Sequence, residues 1–196
     1  MVMERQNRMV DDPRAMRALA HPARLAILSR LQAQGPATAT ECAAAAEVSP
    51  SAASYHLRML AKYGFVGDAP ARADGRERVW QALHRGLTMV ENDRAPDSAE
   101  AVGEVTRAAM NMWTADVMRF LDRYGGESRE WRQASRIGQA LLRVDAEELE
   151  GLVASMDALL EPYLARDRAP QDAPTGARRV QVLMQMFPLA PERDRA

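Results

Sequence analysis

Five proline and glycine breaks cut the first 65 residues into pieces that can only be short helices packed on one another. They are Asp12-Pro13, His21-Pro22, Gly35-Pro36, Ser49-Pro50 and Gly64. Proline is tolerated at the first helical position, where its missing N–H has no partner to lose. The residue before it is pushed out of the helical region. Each X-Pro pair therefore ends one element and starts the next. The first helix is expected from Pro13 to about Leu19. A second follows from Ala23 to Gly35, with Leu25, Leu28 and Leu31 on one face and Ile27 flanking. Thr38 and Glu41 have capping-box spacing, a hydroxyl and a carboxylate three residues apart. They open an alanine-rich third helix to about Glu47. Ser49-Pro50 starts a fourth, running to Tyr63 and ending at Gly64. Ala53, Leu57 and Leu60 give it a core face, with Ser51, Tyr55, Arg58 and Lys62 opposite.

Beyond Gly64 the pattern changes. Phe65-Val66 begins one extended segment and Arg76 to Leu83 forms another, with Val79 and Ala82 or Trp80 and Leu83 turned inward. Between them Asp74-Gly75 is a strong hairpin-turn signal. The expected order is four helices and a hairpin. After a short linker from Arg94 to Asp97, the sequence from Ser98 to Tyr124 reads as one long helix. Its apolar stripe is Val102, Val105, Ala109, Met112, Val117, Phe120, Leu121 and Tyr124, with Met110 and Trp113 beside it. Another helix can start near Ser128. The apolar run Ile137 to Val144 fits strand or helix. Asp145 caps an amphipathic helix through Leu160, and Val180 to Phe187 alternates like a strand. The expected class is α+β, mainly α. It has a helix-turn-helix unit over residues 13–86 and a mostly helical region with a short sheet over residues 97–190.

Charge tests what such a unit could bind. The chain has 26 Lys+Arg and 27 Asp+Glu, a net charge of −1. That balance is a cancellation: residues 14–86 carry net +5 and residues 87–196 net −5. A basic half joined to an acidic half points to a nucleic-acid surface on the first. Cys42 is the only cysteine, so an internal disulfide and Cys-pair zinc motifs are excluded. His21, His56 and His84 lack metal-ligand spacing. There is no glycine-rich phosphate loop and no nucleophile–histidine pair, so no catalytic residue, metal site or cofactor is expected. No apolar run approaches the roughly 18 residues of a membrane span, and Met1 to Pro13 has no apolar signal core. The expected location is the cytoplasm, with no membrane partner.

The helix–hairpin order is that of a winged helix-turn-helix. The major groove of DNA admits one helix, and its backbone approaches the bases closely only where the first turn carries small polar residues. Ser49, Ser51, Ala52 and Ser54 supply these. Tyr55, His56, Arg58 and Lys62 are larger donors further along, and Arg72, Arg76 and Arg78 on the hairpin can lie along phosphates.

Four blocks carry a family resemblance: Ala18-Leu-Ala-His-Pro-Ala-Arg-Leu-Ala-Ile-Leu28, Val48-Ser-Pro-Ser-Ala-Ala-Ser-Tyr-His-Leu-Arg-Met-Leu60, Gly64-Phe-Val66, and Gly75-Arg-Glu-Arg-Val-Trp80. Over residues 15–83 the chain resembles the ArsR-type winged helix-turn-helix regulators of bacterial transcription. The resemblance implies a homodimer on a partly palindromic operator in double-stranded DNA, with repression as the expected mode. Its metal-sensing branch uses a cysteine-rich motif before the recognition helix. Here that region is Thr40-Glu-Cys42-Ala, so the larger, non-metal-sensing branch is the nearer match. The C-terminal half is then expected to dimerise and to hold a small-molecule effector near Met110, Trp113 and Val117.

Plainer readings stand beside these. His56 adjoins core Leu57 and can be a structural histidine. His21 before Pro22 is a turn or cap residue. Cys42 is a small apolar residue of an alanine-rich helix. The Trp113 stripe also fits a dimer core. A winged helix can serve as a protein–protein module instead of binding DNA, but an acidic recognition face would mark that case, and Arg58 and Lys62 stand there.

Overall fold

A computed structural model of the chain describes residues 7–71, 77–164 and 172–190. The helices begin where the breaks put them. Helix α1, Pro13–Leu19, has Pro13 in its first turn and Asp12 as N-cap, accepting from the Arg14 N–H. Helix α2, Pro22–Gln34, is capped by His21, whose Nδ1 accepts from the Ala23 N–H at 3.2 Å. Helix α3, Ala39–Ala46, carries the expected capping box. The Thr38 hydroxyl accepts from the Glu41 N–H, and the Glu41 carboxylate accepts from the Thr38 N–H at 2.7 Å. Helix α4, Pro50–Lys62, follows a tight turn in which Glu47 takes a left-handed conformation at φ 54°.

The end of α4 is fixed from two sides. Gly64, at φ +71°, lets its own N–H reach the Ala61 carbonyl and the Phe65 N–H reach that of Leu60. This closing pattern needs a left-handed residue just past the helix. Arg8 then donates from Nη1 to the Tyr63 carbonyl at 2.5 Å and lies over the Phe65 ring at 4.9 Å. A cation placed at a helix C-terminus complements the partial negative charge there.

Two small sheets flank the helices. Strand β2, Ala37–Thr38, pairs antiparallel with β4, Val79–Ala82, which pairs antiparallel with β3, Val66–Asp68. In β4 it is Val79 and Trp80 that are buried, while Leu83 beyond it is exposed. The Asp74-Gly75 turn lies outside the described residues. The second sheet has no sequence forewarning. Strand β1, Asn7–Val10, pairs parallel with β5, Gly86–Met89. Gly86 leaves room for the Asn7 side chain in this pairing, since a Cβ there would stand 2.2 Å from Asn7 Oδ1 and displace it.

The core gathers Met16, Leu19, Ile27, Leu28, Leu31, Leu57, Leu60, Phe65 and Trp80, with Cys42 and several alanines between them. Helix α5, Ser98–Arg123, roots itself in this core. Ser98, Ala101 and Val105 are buried, and α5 packs on α1 and α2. Arg17 of α1 reaches Asp97 at 2.5 Å and lies 3.7 Å from both Glu100 and Glu104. The fold is mainly helical with small sheets, as the sequence predicts.

The C-terminal expectations need correction. The stripe of α5 is buried only over its first turns, and its remaining apolar residues are half-buried or exposed. Helix α6, Arg129–Ala134, is capped by Ser128, and helix α7, Ala146–Leu160, is capped by Asp145 with a capping box to Glu148. Neither buries a residue. The expected strand from Val180 to Phe187 does not form. Ile137 to Val144 is neither strand nor helix, and among the described residues every strand lies between Asn7 and Met89. The reason is physical: a strand exists only with a partner for its N–H and C=O groups, and among the described residues neither segment has a backbone partner.

Candidate nucleic-acid interface

The outward side of α4 is built by its cap. Ser49 Oγ accepts from the Ala52 N–H at 3.2 Å and lies 3.0 Å from Ser51 Oγ. This leaves a first turn of small residues at the surface. The core spacing Ala53, Leu57, Leu60 turns the opposite side to solvent. Ser49, Ser51, Tyr55, Arg58 and Lys62 are exposed, and Ala52 and Ser54 are half-exposed. Tyr55 is 53% exposed, and Lys62 Nζ lies over the Tyr63 ring at 5.6 Å. Beside this row the root of the hairpin supplies Arg78. Its Nε and Nη2 donate to the two Asp68 carboxylate oxygens at 2.5 and 3.1 Å, and its guanidinium lies 3.9 Å from the Trp80 ring centroid. Thr40, Ser51, Ser54, Arg58, Arg78 and Trp80 line a cleft of about 400 Å³ between helix and hairpin, with Glu77 its one acidic residue.

Arg78 and Asp68 hold each other ionised. The paired hydrogen bond and opposite charge lower the Asp68 carboxyl and raise the Arg78 guanidinium. The arginine is thereby held against Trp80 on the border of the cleft. Arg72 and Arg76 lie outside the described residues. Thr40, Asp68 and Trp80 are additions to the sequence reading. Thr40 sits one residue before the capping-box glutamate, and Trp80 neighbours Arg78 at strand spacing. The sequence shows both positions but not that the fold brings them to α4.

His56 belongs elsewhere. It is 8% exposed, on the inner side of α4, with its ring centroid 4.7 Å from that of His21. It therefore offers nothing to a ligand on the outer face. Burial lowers the pKa of both histidines. His21 and Arg24 lower that of His56 further, and Arg24 lowers that of His21. Both rings are held neutral. A group whose folded pKa falls below its unfolded value near 6.5 binds protons preferentially in the unfolded chain. Its stabilisation is complete above pH 6.5 and is lost as pH falls through the lowered folded values. We therefore expect the midpoint of thermal unfolding to fall as pH drops below about 6.5. A His56→Gln variant should show a flatter profile over that window. Asp68 and Asp97, whose pKa values are also lowered, act at more acid pH and leave this window clear.

Cys42 is fully buried, and burial raises its thiol pKa, which makes it a poor nucleophile. The three residues expected near an effector lie on the part of α5 beyond the core. Met110 is exposed, Trp113 and Val117 are half-buried, and none of them lines the cleft described above. Among the described residues no cluster of three or more His, Cys, Asp or Glu could hold a metal ion. Among the described residues no helix is long and apolar enough to cross a membrane.

Residues 19–66 match the family model described as a helix-turn-helix domain. This stretch runs from the end of α1 through α4 to the start of β3, so it includes the whole outward row. The match supports a DNA-binding helix-turn-helix transcription regulator. It does not single out the ArsR type. No curated protein matches the chain. Among solved structures, a MarR family transcriptional regulator from Silicibacter pomeroyi shares 16% identity over 71% of this chain and 70% of its own, with a TM-score of 0.31. A variant of ZitR from Lactococcus lactis in its apo form shares 18% over 74% and 83%, with a TM-score of 0.32. RV1404 from Mycobacterium tuberculosis shares 15% over 76% and 82%, with a TM-score of 0.31. Overlaps this loose bear on neither the fold nor the function of this chain.

Proposed function

We propose that the chain is a sequence-specific DNA-binding repressor of the ArsR-like winged helix-turn-helix kind. It acts as a cytoplasmic homodimer on a palindromic operator, and a small molecule held by the C-terminal half modulates it. Residues 13–86 bind DNA and residues 97–190 dimerise. The observation that carries this reading is the outward row of α4. Small polar residues occupy its first turn, Tyr55 and Arg58 stand one turn on, and Arg78 faces them across a cleft. A helix entering the major groove reads bases with such a row, while the flanking hairpin arginines meet phosphates. The base-reading residues are then Ser51, Ala52, Ser54, Tyr55 and Arg58, and the phosphate contacts are Ser49, Lys62, Arg72, Arg76 and Arg78.

The test is to capture genomic fragments on the purified full-length protein, sequence them, and titrate the recovered site with salt. A shared palindromic sequence is expected. Affinity should fall linearly in log–log form with salt, by a factor on the order of 10³ or more between about 50 and 200 mM if six or more phosphates are neutralised. A folded protein that captures no DNA at about 50 mM salt would overturn the proposal.

A further inference from the structure

Among the described residues of the C-terminal half, two irregular segments lack backbone partners and one helix buries no residue. Residues 136–144 and 178–190 make no backbone–backbone hydrogen bond among the described residues. The second nevertheless reads as a strand, and the first fits strand or helix. Val180, Val182, Met184 and Met186 alternate with other residues, and Ala140, Leu142 and Val144 repeat at the same spacing. Leu142 is 60% exposed and Val182 54%. Between the two segments lies α7, with Leu149, Leu152, Val153, Met156, Leu159 and Leu160 on one face, yet it buries no residue. An apolar surface of this extent marks a contact site.

Charge says what covers it. Helix α7 carries Glu147, Glu148, Glu150 and Asp157 and no basic residue. The two segments carry Arg136, Arg143 and Arg179, besides the Arg178 that Glu127 holds, with no acidic residue in 136–144 or 178–190. The acidic helix and the basic segments are complementary, and one chain holds both. Two identical copies can therefore satisfy each other across a two-fold axis. The second segment is already fixed in place at one end. Arg178 is paired with both carboxylate oxygens of Glu127 at 2.8 and 3.0 Å and stacks on Trp131, and Gln181 donates to Asp116 of α5 at 3.2 Å.

We propose that residues 179–187 of one copy add as a β-strand to residues 137–144 of a second copy, with α7 covering the apolar face of the new sheet. Strand addition satisfies the open N–H and C=O groups of both segments, and the two-fold axis repeats the exchange. This deepens the homodimer proposed above by naming its surface, and it is tested without DNA.

Hydrogen–deuterium exchange of the full-length protein, followed over a dilution series alongside its mass by light scattering, decides it. The expected result is a dimer in which amides of 138–144 and 179–187 are protected, with protection lost as dilution releases monomers. Val182→Pro, which removes a ladder donor, should weaken the dimer by about tenfold or more in Kd. Leu159→Glu on α7 should do the same while the circular dichroism of the N-terminal helices is unchanged. A monomer at all concentrations, a dimer with both segments unprotected, or protection that survives dissociation into monomers would each overturn the proposal. A protected dimer that captures no genomic DNA sinks the regulator reading alone. Operator binding by a dimer with unprotected segments sinks this one alone.

Discussion

Phe65→Ala is expected to destabilise the N-terminal core by about 3–5 kcal/mol, the range for deleting a buried phenylalanine. The ring is 1% exposed. It follows the glycine that ends α4, packs into the shared core, and carries the Arg8 guanidinium on its face. Its removal therefore opens a cavity and also frees the arginine that holds the Tyr63 carbonyl. In a domain of this size the midpoint of thermal unfolding should fall by at least about 12 °C, read by circular dichroism at 222 nm. Phe65→Leu keeps most of the volume and should recover much of the loss. A fall of only a few degrees for Phe65→Ala would show that the end of α4 is held by its backbone closure alone.

Arg58→Ala carries the largest effect expected on function. Arg58 stands exposed on α4 and lines the cleft opposite Arg78, so its loss leaves the core intact. If it reads a base edge, affinity for the captured operator should fall by about 1–3 kcal/mol, roughly five- to 150-fold, and discrimination at one base pair should relax. Arg78→Ala should instead weaken binding to all sequences alike and reduce the steepness of the salt dependence by about one. Titrating both variants against the operator and a scrambled duplex separates the two roles. An Arg58→Ala loss that is equal on both duplexes would make that residue a phosphate contact.

Much of the helix-turn-helix was legible because its signals are local. Asp12-Pro13, Thr38 with Glu41, Ser49-Pro50 and Gly64 each act within a few residues, and the structure uses every one of them. The outward row of α4 followed from the phase of Ala53, Leu57 and Leu60. The same phase places position 56, three residues after Ala53, on the inner side. Residue type points His56 outward, and the helix geometry prevails. The parallel pairing of β1 with β5 was illegible because its four-residue strands are far apart in sequence and too short for the Leu87–Met89 alternation to stand out. The cleft needs Trp80 and Arg78 brought from another element, which no spacing rule supplies. In the C-terminal half the sequence patterns are as strong as in the N-terminal half, but amphipathic patterns state that a face must be covered and do not state by what.

Arg17, paired with Asp97 beside Glu100 and Glu104, ties the start of α5 to α1, on the same body that carries α4. A helix of 26 residues is about 39 Å long at 1.5 Å per residue, close to the roughly 34–36 Å that separates successive major-groove faces of DNA. If the two-fold dimer proposed above forms beyond the core, α5 is the link between that seam and the body that carries α4. Adding or removing a turn of this helix would then be expected to change the operator spacing the dimer prefers.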